Sequence, residues 1–134
     1  MIMIKNKAQT SMELIMVISA VMFFFLAFLL MVQNNTAEKS KIQRNLALKE
    51  EVTNLKEEIY LAHNSLNGYR RNFYIKENLL NGVEYSISIN DGMIYAITED
   101  ERNSYSISAL NVTGQAKKGN NVILKTNNQV FLNQ

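Results

Sequence analysis

Hydrophobic residues change their spacing twice along this chain, and each change marks a different kind of element. Residues 14–32, LIMVISAVMFFFLAFLLMV, are nineteen consecutive positions without a charge. As a helix at about 1.5 Å per residue they reach about 28 Å, close to the hydrocarbon thickness of a bilayer. Residues 33–41 turn polar but contain no glycine or proline, so the helix is expected to continue. Apolar residues then recur at Leu48, Val52, Leu55, Ile59, Ala62, Leu66, Tyr69 and Phe73, in alternating steps of four and three. That spacing draws a stripe down one helix face, with Lys49, Glu50, Glu51, Lys56, Glu57 and Glu58 on the other. Gly68 places the expected helix end near Asn67. One helix over residues 10–67 would be about 87 Å long.

The period then shortens to two. Val83-Glu84-Tyr85-Ser86-Ile87-Ser88-Ile89 alternates apolar and polar, as a half-buried strand does. Asn90-Asp91-Gly92 is a hairpin turn signal, and the returning strand Met93–Thr98 carries Met93, Tyr95 and Ile97 on one face. Residues 99–103 form a charged turn, and 104–112 alternate again through Tyr105, Ile107 and Ala109. Residues 113–121 read as a polar loop with two glycines. Strands at 122–126 and 129–132 flank Asn127-Asn128, a two-residue turn with positive φ. The expectation is one antiparallel sheet of four or five strands. A sheet so small needs a cover on one face, and the stripe at 48–73 is the one available, ahead of a coiled coil with a partner. The predicted fold is α+β: a long N-terminal transmembrane helix, then a small antiparallel sheet packed on its outer half.

Composition narrows the function. Of the 134 residues, those beyond the apolar run suffice for one small domain. A net charge of +2 is too mild to argue for nucleic acid. With no cysteine there is no disulfide, no thiolate metal site and no lipid-modified cysteine. The apolar run exceeds the roughly 7–15 residues of a cleaved secretory signal, and residues 33–37 offer no A-x-A exit. A retained helix is therefore expected. Lys5 and Lys7 precede it, while Lys39, Lys41 and Arg44 follow it, so charge alone does not fix its orientation. The later domain is expected outside the cytoplasm.

The head of the apolar run carries the functional signal. Lys7-Ala8-Gln9-Thr10-Ser11-Met12-Glu13-Leu14 resembles the Q-x-S-x-E head of archaeal class III signal peptide proteins, the type IV pilin-like precursors. The matching positions are Gln9, Ser11 and Glu13, behind a basic leader and ahead of an apolar run. Where the family more often has glycine before the cut, this chain has Ala8. The resemblance implies cleavage between Ala8 and Gln9 by a membrane prepilin peptidase, on the cytoplasmic side of an uncut helix. It divides the chain into a leader at 1–8, a transmembrane and polymerisation helix at 9–32, a continuing amphipathic helix at 33–67 and a β-rich head at 68–134. It further implies a non-enzymatic surface-filament subunit without cofactors, made as a membrane precursor. Its partners would be the membrane, the peptidase, an assembly platform and other pilins. Its head would face outward, for adhesion.

An ionised carboxylate at the edge of an apolar helix is costly unless paired. Cleavage would create a cation, the α-amine of Gln9, and a neighbouring subunit's amine could meet Glu13 among packed apolar helices, where low dielectric strengthens the pair. The plain alternative is an interfacial acid favoured by the positive helix start. Ser19, Ala20 and Ala27 are small enough for close helix approach, and Met12, Met16, Met22 and Met31 can fill gaps. Elsewhere, Asn111-Val112-Thr113 and Asn34-Asn35-Thr36 are candidate glycosylation acceptors. His63 reads as a surface histidine. Arg70-Arg71 reads as a helix-end cap. Asp91, Glu99, Asp100 and Glu101 read as solvated turn charge rather than a calcium site. The rival of another class is a bitopic adaptor that does not polymerise and uses 40–66 as a dimerising stalk.

Overall fold

The computed structural model describes residues 2–134, with side chains from Gln9 onward. Two compact units divide the chain, Met1–Ser40 and Lys41–Gln134. A single helix, α1, runs over Ile2–Asn64. Seven strands follow: β1 (Arg70–Ile75), β2 (Tyr85–Asn90), β3 (Met93–Thr98), β4 (Ser104–Ser108), β5 (Thr113–Gly114), β6 (Gly119–Thr126) and β7 (Gln129–Leu132). The α+β class and the long helix are as the pattern predicts. The sheet differs in detail, because the strands divide into two sheets. One has the order β1-β6-β7-β5 and the other β2-β3-β4. All pairs are antiparallel except β5 with β7, which is parallel.

Within the second unit the helical stripe is the shared core. Leu48, Val52, Ile59 and Ala62 are fully buried and Leu55 is 1% exposed. They join Ile75, Ile123, Val130 and Leu132 of the first sheet and Tyr85, Ile89, Ile94 and Ala96 of the second. Both sheets therefore spend their apolar faces on one helix face, which leaves no free stripe for a coiled-coil partner. On β3 the inward residues are Ile94, Ala96 and Thr98. Met93, Tyr95 and Ile97 share a face, as expected, but it is the outer one.

The helix stops three residues before the expected end. Leu66 is 88% exposed, while Tyr69 and Phe73 are half-buried outside the helix, Phe73 on β1. Asn64 and Ser65 turn their side chains back onto the carbonyls of Tyr60 and Leu61, at 2.9 and 2.7 Å. Lys125 on β6 then donates to the carbonyls of His63 and Ser65 at 2.5 and 2.9 Å. A cation at the negative helix terminus satisfies acceptors that have no intrahelical donor. The expected cap, Arg70-Arg71, lies on β1 instead, where Arg71 faces Glu58 at 3.4 Å.

The two hairpin turns form where their chemistry demands. Asp91 and Gly92 have φ of 52° and 73°, and Asn127 and Asn128 have 51° and 59°. Both are the left-handed pairs that match strand twist. Gly114, in the expected loop, instead forms β5, with φ of +114°, and a Cβ there would lie 2.0 Å from the Leu132 carbonyl oxygen. Only glycine permits that approach. Gly114→Ala is expected to add about 1–3 kcal/mol of backbone strain to the clash and to unpair β5 from β7. Gly92→Ala meets only ordinary contacts at 3.8 Å or more. Urea midpoints should therefore fall further for the Gly114 variant.

Candidate functional site

In the first unit, every described residue from Gln9 to Lys39 is exposed on α1. The apolar run is long and apolar enough to cross a membrane, and none of it is covered by the chain itself. It needs an apolar medium from outside: lipid, or other helices. Its one hydroxyl is silenced locally, since Ser19 donates to the Ile15 carbonyl at 2.7 Å, and just beyond the run Thr36 donates to that of Val32 at 2.9 Å. Such back-bonding removes a polar group that lipid could not satisfy.

Glu13 has no comparable outlet. A carboxylate offers chiefly acceptors, so helix carbonyls cannot silence it as they do a hydroxyl. Among the described residues it makes no ion pair or hydrogen bond. Gln9 lies one turn before it on the same helix face, while Ser11 points to the opposite side. Lys7 and Ala8, the other half of the expected processing motif, have side chains outside the described residues. What the described part offers chemically is one carboxyl group where the greasy rod begins.

In the second unit the remaining candidates separate. The Asn34 triplet, back in the first unit, is helical, with its threonine hydroxyl committed to Val32. Asn111 is exposed on the loop between β4 and β5. His63 is half-buried rather than free on the surface: its Nε2 lies 2.6 Å from the Asn111 carbonyl oxygen. A carbonyl only accepts, so that nitrogen carries the proton. The two residues border an open groove of about 560 Å³ with Thr113, Asn128 and Gln129. Asp91, Glu99, Asp100 and Glu101 do not gather. No group of three His, Asp or Glu side chains that could hold a metal exists among the described residues. Asp100 instead accepts from the Thr98 hydroxyl at 2.6 Å and the Arg102 amide at 3.2 Å, which holds its carboxyl below the usual value, with Arg44 at 3.2 Å adding to this.

One polar cluster was not legible beforehand. Glu51, assigned by its charge to the solvent face, is only 3% exposed. Its Oε1 pairs with Lys76 Nζ at 2.9 Å, and Glu50 shares that lysine at 3.2 Å. Tyr85 closes the group by donating to the Lys76 carbonyl at 2.6 Å. The hydrogen bond to Glu51 holds the Lys76 pKa above its usual 10.5. Burial first, and the Glu51 charge second, push the Tyr85 phenol well above its usual 10.0. The cluster joins the helix to the β1–β2 connection.

No protein-family model, curated protein or solved structure matches this chain.

Both raised pKa values mean that the folded state holds its protons more tightly than the unfolded chain does. The stability they contribute is complete below pH 10 and is lost as the pH climbs past 10.0 and 10.5. Melting temperature should therefore fall steeply above that range. Tyr85→Phe should cost about 1 kcal/mol at neutral pH, from the lost hydrogen bond, and flatten the alkaline fall.

Proposed function

We propose that this chain is a pilin-like structural subunit of an archaeal type IV pilus-like filament, cut before Gln9 by a prepilin peptidase and polymerised through α1. One observation carries the reading: Glu13, without a partner among the described residues, stands at the head of a wholly uncovered apolar helix, four residues after Gln9 and two after Ser11. A group that only accepts, in a medium that cannot donate, calls for a cation from another molecule. The α-amine created by the cut supplies one. Subunits repeated by a screw operation would place each amine against a neighbour's Glu13, with Ser19, Ala20 and Ala27 allowing close approach. Outward display of the head accounts for its separate core, and Asn111 is the acceptor whose loop position suits a glycan. The adaptor alternative lacks its dimerising stripe, because both sheets cover it.

N-terminal sequencing of the native protein tests the reading at its root. A mature chain beginning at Gln9 is expected, and an intact leader on every copy would sink the proposal in favour of a permanently anchored protein. Glu13→Ala should leave cleavage and membrane insertion unchanged while abolishing incorporation into filaments. Electron microscopy of surface appendages, with immunodetection of the subunit, provides the readout.

A further inference from the structure

Three of the four sheet edges in the head are guarded. β1 carries Arg70 and Arg71. β5 is two residues long. On β2 the side-chain amide of Gln115 takes the place of a neighbouring strand, accepting from Ile89 N at 3.0 Å and donating to Ile89 O at 2.6 Å. β4, Ser-Tyr-Ser-Ile-Ser, has none of these defences: no charge, no proline and, among the described residues, no side chain laid across it. Natural sheets seldom leave such an edge bare unless something pairs with it.

The direction of its free groups follows from the ladder. Thr98 N donates to Asn103 O, and Ala109 N donates to Gly92 O, each at 2.9 Å. Bonded pairs alternate in an antiparallel ladder, so Tyr105 and Ile107 bond to β3 while Ser104, Ser106 and Ser108 turn their N–H and C=O groups outward. These three serines are exposed.

We infer that β4 pairs antiparallel with β4 of a second copy of this chain, about a two-fold axis through Ser106, joining two three-stranded sheets into one of six. The sequence of the strand selects that occupant. Centred on Ser106, it is its own complement. Ser104 falls opposite Ser108 and Ser106 opposite itself, pairing hydroxyls on the outer face. Tyr105 falls opposite Ile107, an aromatic against a β-branched residue, on the inner face. The flanking charges never meet their own copies, because Arg102 lies across from Leu110 and Glu101 from Asn111 in the same register. A self-complementary patch is what an isologous dimer requires. The pairing involves heads alone and stands whether or not α1 polymerises.

Because the chain has no cysteine, single thiols report the register directly. The full-length Ser106→Cys protein, in detergent with micelles in excess over chains, is treated with a short thiol-to-thiol cross-linker. The facing Cα atoms would be about 5.5 Å apart, and a covalent dimer is expected. Ser86→Cys, on β2 of the same sheet, would be separated from its copy by five strand spacings, about 24 Å, and should remain monomeric. A mixture of Ser104→Cys and Ser108→Cys proteins should cross-link severalfold more than either alone. Adding Ser106→Pro to both should abolish that yield, since proline removes an outward N–H and no bond to β3. Equal cross-linking at Ser106 and Ser86, or none at Ser106 with unchanged circular dichroism, would overturn the pairing. So would a mixture that links no better than its components.

Discussion

The burial of one helical stripe by two sheets is the interaction on which the head depends. Leu48, Val52, Leu55, Ile59 and Ala62 present apolar side chains at alternating steps of four and three, and no other element could cover either sheet. Each sheet has one apolar face that must be covered. Three strands, or four with one of only two residues, are close to the smallest sheets that persist, so the cover matters. By sharing a single helix face they form one core within Lys41–Gln134. The same helix is exposed at every described residue from Gln9 to Lys39. Along one continuous element the sequence changes from uniformly apolar to striped, as the exposed and the packed stretches of the helix differ.

Around that core the chain relies on neutral amides where many proteins use ion pairs. Asn121 is fully buried and bonds to the backbone of Lys117 and Gly119 and to Asn133. Asn103 reaches back to the Lys41 carbonyl at 3.3 Å and to Asn45 at 2.8 Å, tying the β3–β4 turn to the helix. Thr98 completes this group. Its single proton goes to Asp100 at 2.6 Å while its oxygen accepts from Asn103 N at 3.1 Å. A buried amide can both donate and accept, so it closes irregular connections without the desolvation cost of a charge. Glu51 is the exception, and its lysine remains partly in water.

Much of this was legible in the residues themselves. Positive φ at the two hairpin turns follows from Asp91-Gly92 and Asn127-Asn128, and the strand at 129–132 forms over those residues. Local chemistry decides such features. The errors lie where distant contacts decide. Leu66, Tyr69 and Phe73 continue the helical spacing by coincidence, but Lys125, some sixty positions away, closes the helix at Asn64, and β6 draws 70–75 into a strand. The pair of β5 with β7 depends on a two-residue match that no period announces. The burial of Glu51 depends on a partner 25 residues later, which its position on the helix does not announce. At the candidate site, the spacing of Gln9, Ser11 and Glu13 is entirely local and was visible at once, whereas the contact between His63 and Asn111 spans 48 positions.

The clasp of Gln115 on Ile89 has a consequence for how the head would age. It spans the two sheets through an uncharged amide, and Asn133 steadies it by donating to the Gln115 carbonyl at 2.8 Å. Neither salt nor ordinary swings in acidity would loosen such a join. Its vulnerability is chemical and slow. Hydrolysis of that side chain to a carboxylate would exchange the donor for an acceptor facing the Ile89 carbonyl, and the seam between the sheets would part from within.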